Sequence, residues 1–329
     1  MDTNISEEKT VVNTRVKEID IMRGLAIFLV VLGHAIIVYP INLHEITWCK
    51  TLHDLIYSFH MELFFVISGW CFKYNGKIQV YIKKKLKRLI IPYLFFSAID
   101  YAVRIVFSTY VNRTEMSWKY ILLYGGNYWF IYTLVLISFV YIAVSKIPNS
   151  WLQTILVILL FYISGFAPEV LCLKFVCKYL LYFHIGKMLK DTHAFDKIAK
   201  RTNAEKGMAL LICSVGWCAL FFLPIQFAIV KSFAVAMLGV FTMILLIYTY
   251  PSNLLLSHME KFGSMTLQLY LVEGFFLVIA RTIICKIINV SNPGIIITGL
   301  LMVDFFVAYY FVSKMCKMSR IARFIFGVV

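Results

Sequence analysis

The stretch Glu18–Ala35, EIDIMRGLAIFLVVLGHA, decides how this chain is read. It is apolar enough to enter a bilayer, yet Arg23 stands at its mouth and His34 lies deep inside it. Eleven residues at 100° each end about 20° past three full turns, so the two side chains share one helix face, roughly 16 Å apart along the axis. Asp20, one turn before Arg23, can pair with it on that face. An ionisable group in a bilayer is costly unless it faces protein or a wet cavity, which marks His34 as a functional candidate. The plainer alternatives are an interfacial anchor for Arg23 and a neutral, interhelical hydrogen bond for His34.

The surrounding sequence supplies the membrane context. Of 329 residues, 61% are hydrophobic and 15% charged, and the mean hydropathy is +0.82. Such a composition points to an all-α, polytopic transmembrane bundle and excludes a large soluble core. With about 20 residues per span, the apolar runs predict about ten transmembrane helices, near 24–39, 55–72, 89–107, 128–144, 152–166, 171–189, 208–224, 231–250, 266–284 and 295–312. No small-residue cleavage site follows the first run, so it reads as a retained helix. With both termini in the cytoplasm, 23 of the 32 Lys and Arg fall on the cytoplasmic side, as the positive-inside rule requires. Residues 1–23 then form a cytoplasmic tail, 24–312 one transmembrane domain, and 313–329 a basic cytoplasmic tail. The formal charge of +15 is explained by topology and anionic lipid, without a nucleic-acid partner. The expected location is the inner (cytoplasmic) membrane, as a multi-pass protein. The eight cysteines are scattered with no CxxC pair, and the spacing predicts neither disulfide nor metal.

The second apolar run, SFHMELFFVISGW at 58–70, brings His60 and Glu62 into the membrane. Counting inward from the outer ends of the first two helices places them at the depth of His34, where a carboxylate can orient an imidazole as a general base. At the cytoplasmic end, YIKKKLKRLIIPY at 81–93 gathers Lys83, Lys84, Lys85, Lys87 and Arg88 on the side of Arg23. Clustered Lys and Arg satisfy the positive-inside rule and also suit phosphate groups.

These residues resemble a known family. Arg, ten residues and His in the first helix, the preceding EID, FHMELFFVISG, and KRLIIPY are similar to the acyltransferase 3 family of bacterial integral-membrane O-acyltransferases. YWFIYTLVLI at 128–137, YFHIGKMLK at 182–190 and LQLYLVEG at 267–274 resemble weaker landmarks of that family. The resemblance implies transfer of an acyl group, usually acetyl, from cytoplasmic acyl-CoA to a hydroxyl of an extracytoplasmic or lipid-linked glycan. It further implies that His34 is the catalytic histidine with Arg23 as its partner, and that Lys87 and Arg88 contact CoA phosphates. Two departures stand out: Glu62 replaces a proline common among relatives, and Glu273 occupies a position where relatives often carry histidine.

Acyl transfer from a thioester needs a base for the attacking hydroxyl and donors for the oxyanion. His34, supported by Glu62 and His60, is expected either to deprotonate the acceptor hydroxyl directly or to be acylated itself and hand the group outward, and Arg23, Lys87 and Arg88 are the expected cofactor-binding cations. Ser68 and Gly69 form a small-residue step that also suits helix packing. Trp129 and Tyr128 begin the fourth helix, where they can stack on a sugar or belong to an aromatic belt. His184 sits mid-span in the sixth helix, as a cavity-lining or helix-bridging residue. The rival reading is a proton-coupled transporter or exporter of a glycan or small molecule, with His34, Glu62 and Glu273 as relay groups.

Overall fold

The computed structural model describes residues 16–38, 41–106, 117–224, 228–251 and 253–328, and every regular element among them is helical. The first helix, α1 (Lys17–Ile37), begins about two turns earlier than the apolar run suggests, with Glu18 and Asp20 in its first turn, where they complement the helix dipole. A 3₁₀ turn, Leu43–Glu45, leads into α2 (Thr47–Tyr57) and α3 (His60–Trp70). The predicted span at 55–72 is thus broken at Ser58–Phe59, where Phe59 leaves the helical region with φ −152°.

Next come α4 (Ile78–Lys85), a π turn at Leu86–Ile90, and α5 (Ile91–Val106), which run on as one rod. Pro92 has no N–H to return to the Arg88 carbonyl, and the turn before it widens into the π form. Then follow α6 (Trp118–Tyr124), α7 (Trp129–Val144), α8 (Ser150–Ile163), α9 (Leu173–Asp191), α10 (Ala194–Ala199), α11 (Asn203–Phe222) and α12 (Ala228–Thr249). A capping box between Thr202 and Glu205 opens α11, satisfying two orphan backbone donors. The chain closes with α13 (Leu254–Gly263), α14 (Thr266–Thr282) and its π turn Ile283–Ile287, then α15 (Pro293–Met302), a π turn at Val303–Ala308, α16 (Tyr309–Met318) and α17 (Arg320–Ile325).

By length and composition, 7 helices among the described residues can cross a membrane. The other three predicted spans correspond to α3, which has 11 residues, α8, which has 14, and α9, whose 19 residues include Lys174, Lys178, Lys187 and Lys190. The short α3 is no peripheral element: it is almost wholly buried and lies along α9. Gly69 faces the Phe183 carbonyl and Gly186 the Val66 carbonyl, so a Cβ at either position would overlap the opposite backbone. The small-residue step at Ser68–Gly69 is therefore, at Gly69, a helix-crossing point.

At the centre stands α1, packed against α13, α3, α14, α2, α15 and α12. Its closest crossing is with α13, where Gly24 meets the Met259 carbonyl and Gly263 meets the Asp20 carbonyl. This position inside the bundle gives the Arg23–His34 face protein neighbours rather than lipid.

Candidate functional site: a histidine–glutamate pair between the first and fourteenth helices

His34 occupies the last turn of α1. Its Nδ1 lies 2.7 Å from Oε1 of Glu273 on α14. The carboxylate can only accept, so Nδ1–H donates and the lone pair is left on Nε2. The imidazole is 35% exposed whereas the Glu273 side chain is only 5% exposed, so a reactive nitrogen is backed by a buried acid. Glu273 Oε2 is buried with no hydrogen-bond partner among the described residues.

The carboxylate beside His34 is thus Glu273, and Glu62 turns elsewhere. Glu62 Oε1 pairs with Lys178 Nζ of α9 at 3.0 Å. The physical reason is helical phase: α3 buries Glu62 on the side that packs along α9. His60 is buried and its Nδ1–H donates to the Ile56 carbonyl at 2.9 Å. Its ring also lies 4.6 Å from that of Tyr57, and Tyr57 in turn packs over Gly33, the residue before His34. Depth counting therefore places His60 near His34 through one intervening ring, while the same count does not reveal the partner of Glu62.

Toward the other end of α1, Arg23 donates from one terminal nitrogen to Asp20 Oδ1 at 2.9 Å and from the other to Cys71 Sγ at 3.0 Å. Arg23 remains 27% exposed. Lys87 and Arg88 are exposed on the π turn before α5, and Lys85 reaches inward to Ser138 Oγ of α7 at 2.9 Å. Ser68 is half-buried in α3. Trp129, at the start of α7, packs on Phe175 and Tyr179 with centroid distances of 4.6 Å and 5.9 Å. Tyr128 donates to the Leu271 carbonyl of α14 at 2.9 Å, two residues from Glu273.

His184 bridges three helices. Thr154 Oγ1 donates to the Ser150 carbonyl at 3.0 Å, which leaves it to accept from His184 Nε2–H at 3.0 Å. Tyr141 then donates to Nδ1 at 2.9 Å. Both ring nitrogens are satisfied, and the residue ties α7, α8 and α9 together.

Two further groups belong to the neighbourhood of the pair. Arg281, fully buried on α14, donates to the carbonyls of Ala35 and Ile41. The Ala35 carbonyl is one of the last of α1, so the guanidinium caps that helix end and fixes the backbone next to His34. Asp304 lies in the π turn that packs on α14. It is fully buried, and neither carboxyl oxygen has a hydrogen-bond partner among the described residues. Sequence reading singled out neither residue; the available signal was an ionisable side chain inside a predicted span.

Comparison with known proteins supplies the family. A family model described as an acyltransferase domain matches residues 16–313, a range that contains α1, α14 and every group described above. A curated relative, nodulation protein NolL of Mesorhizobium japonicum, is 26% identical over 183 residues, which cover 52% of this chain. The matched region spans 47% of that relative's length. No solved structure matches. With nearly the whole helical bundle inside the match, the chain belongs to the acyltransferase 3 family of membrane acyltransferases.

Proposed function

We propose that this membrane acyltransferase is an O-acyltransferase that moves an acyl group, acetyl first among candidates, from cytoplasmic acyl-CoA to a hydroxyl of an extracytoplasmic or lipid-linked glycan. The observation that carries the reading is the 2.7 Å pairing of His34 Nδ1 with buried Glu273, with the ring itself still partly open. Glu273 takes the orienting role that depth counting assigns to Glu62.

In this mechanism His34 Nε2 takes the proton of the acceptor hydroxyl as its oxygen attacks the thioester carbonyl. The C–S bond breaks, the ester forms, and the imidazolium returns the proton to the departing CoA thiolate. Glu273 stabilises the imidazolium while it exists. Arg23, held by Asp20 and Cys71, together with Lys87 and Arg88, receives the CoA phosphates on the cytoplasmic side. Extended pantetheine follows the helix face for the roughly 16 Å that separates Arg23 from His34 by helix rise. The topology that suits this path has both termini in the cytoplasm of an inner-membrane protein, with α2–α3, α8 and α9 completing about ten crossings.

Base-labile acyl esters of envelope glycans, measured by mass spectrometry in a deletion strain, test the proposal. Complementation with wild type is expected to restore esters, and His34→Ala is expected not to. Equal restoration by the variant removes His34 from the chemistry. No ester change with either protein moves the exporter reading to the front.

A further inference from the structure

Beyond the end of α1 lies a second cluster that the acyl-transfer mechanism does not use. His44 sits in the 3₁₀ turn Leu43–Glu45, and His53 and Asp54 are consecutive on α2. Asp54 Oδ1 stands 3.3 Å from His44 Nε2 and 3.1 Å from His53 Nδ1. One ligating atom from each of the three lies within 4.8 Å of the others.

We propose that His44, His53 and Asp54 bind a divalent transition-metal ion of the zinc class through two imidazole nitrogens and one carboxylate oxygen, leaving the fourth position to water. Zinc bonds to nitrogen and oxygen of about 2.0–2.2 Å place tetrahedral ligand atoms about 3.3 Å apart, close to the separations already present on both sides of Asp54 Oδ1. Two imidazoles and one carboxylate are a borderline donor set that suits zinc rather than calcium or magnesium.

The alternative use of these atoms is a hydrogen-bonded triad in which one carboxylate oxygen accepts from both rings. Both arrangements use His44 Nε2 and His53 Nδ1 against Asp54 Oδ1, and they differ in whether ring protons or one ion sits between these atoms. The cluster is also rigidly built. His53 stacks on Tyr57, one turn along α2, with centroids 3.9 Å apart, and meets the His44 ring edge-on at 4.7 Å. The Asn42 side chain accepts from the His44 N–H and fixes the 3₁₀ turn. The site is open on one side: Asp54 is 42% exposed and His53 only 12%. Three protein ligands with one solvent-facing position is the pattern of an accessible zinc site rather than a closed structural one. Through Tyr57, which packs over Gly33, the ion would stand one aromatic ring away from His34. The assignment depends on the cluster alone and not on the acyl donor or acceptor.

The test uses the full chain carrying a non-histidine affinity tag, purified in detergent, stripped with a chelator, and titrated with zinc chloride against a chromogenic competitor. One zinc per chain is expected, with affinity at least about tenfold weaker in Asp54→Asn and in His44→Gln, since even outer-shell changes cost about 10–100-fold. Cobalt(II) in place of zinc is expected to give tetrahedral visible absorption in wild type that both variants lose. Unfolding midpoints without metal verify that each variant is folded, and if one fails to fold the other decides. Absence of saturable zinc binding to wild type overturns the proposal, as does unchanged affinity in a folded variant.

Discussion

Replacing His34 with alanine is expected to lower the turnover of acyl transfer by about 10²–10⁴-fold, the contribution of a positioned general acid–base group. Both kcat and kcat/KM are expected to fall together, because the interaction lost is one made in the transition state rather than in substrate binding. Some stability is expected to be lost as well: the His34 side chain is 35% exposed, but its removal leaves the buried Glu273 carboxylate without its hydrogen-bond partner, at a cost of about 1–3 kcal/mol. Steady-state transfer to a hydroxyl acceptor, read beside the unfolding midpoint in detergent, separates the two effects. A variant that keeps wild-type kcat would show that the imidazole is a helix-bridging group.

A second large effect is expected from Glu273→Gln. The substitution keeps volume and removes charge. Its amide NH₂ can donate to His34 Nδ1, which would move the ring proton to Nε2 and take away the base. In serine-protease triads the same carboxylate-to-amide change costs about 10⁴-fold through the wrong tautomer; here a loss of about 10²–10⁴-fold is expected on the same grounds. Glu273 is buried and its second oxygen has no hydrogen-bond partner among the described residues, so the amide introduces no clash with a fixed donor there. A loss confined to KM would place Glu273 in substrate binding instead.

How far the sequence shows this site depends on which physical rule governs each residue. The shared face of Arg23 and His34 follows from helix periodicity within one segment, and Asp20 is indeed bonded to Arg23. The helical class follows from composition alone. Pairing across helices is different, because 3.6-residue periodicity fixes a face but not the neighbour it meets. His34 and Glu273 are 239 residues apart, and only packing of α1 against α14 joins them. Glu273 stands out through the family resemblance, as a carboxylate where relatives often carry histidine, while its partner is not readable from the chain. Glu62 shows the converse: its depth is legible, but its phase turns it to Lys178. Arg281 escapes notice because a lone charge near the end of the 266–284 run looks like a boundary residue, whereas Asp304 stands mid-run in 295–312, where an ionisable group is itself the signal; both are fully buried. Span length is likewise incomplete information. The break at Ser58–Phe59 and the four lysines of α9 show helices stabilised by burial in the bundle rather than by a full bilayer-length apolar run.

Whether His34 and Glu273 act as one catalytic unit is tested most directly by a double-mutant cycle on the turnover of acyl transfer. Wild type, His34→Ala, Glu273→Gln and the double variant are compared with saturating acyl donor and acceptor. Groups that act together are strongly non-additive, so Glu273→Gln is expected to cost about 10²–10⁴-fold in wild type and about twofold or less once His34 is absent. Multiplicative losses, with the carboxylate costing as much in the His34→Ala protein as in wild type, would contradict the pairing as the source of catalysis.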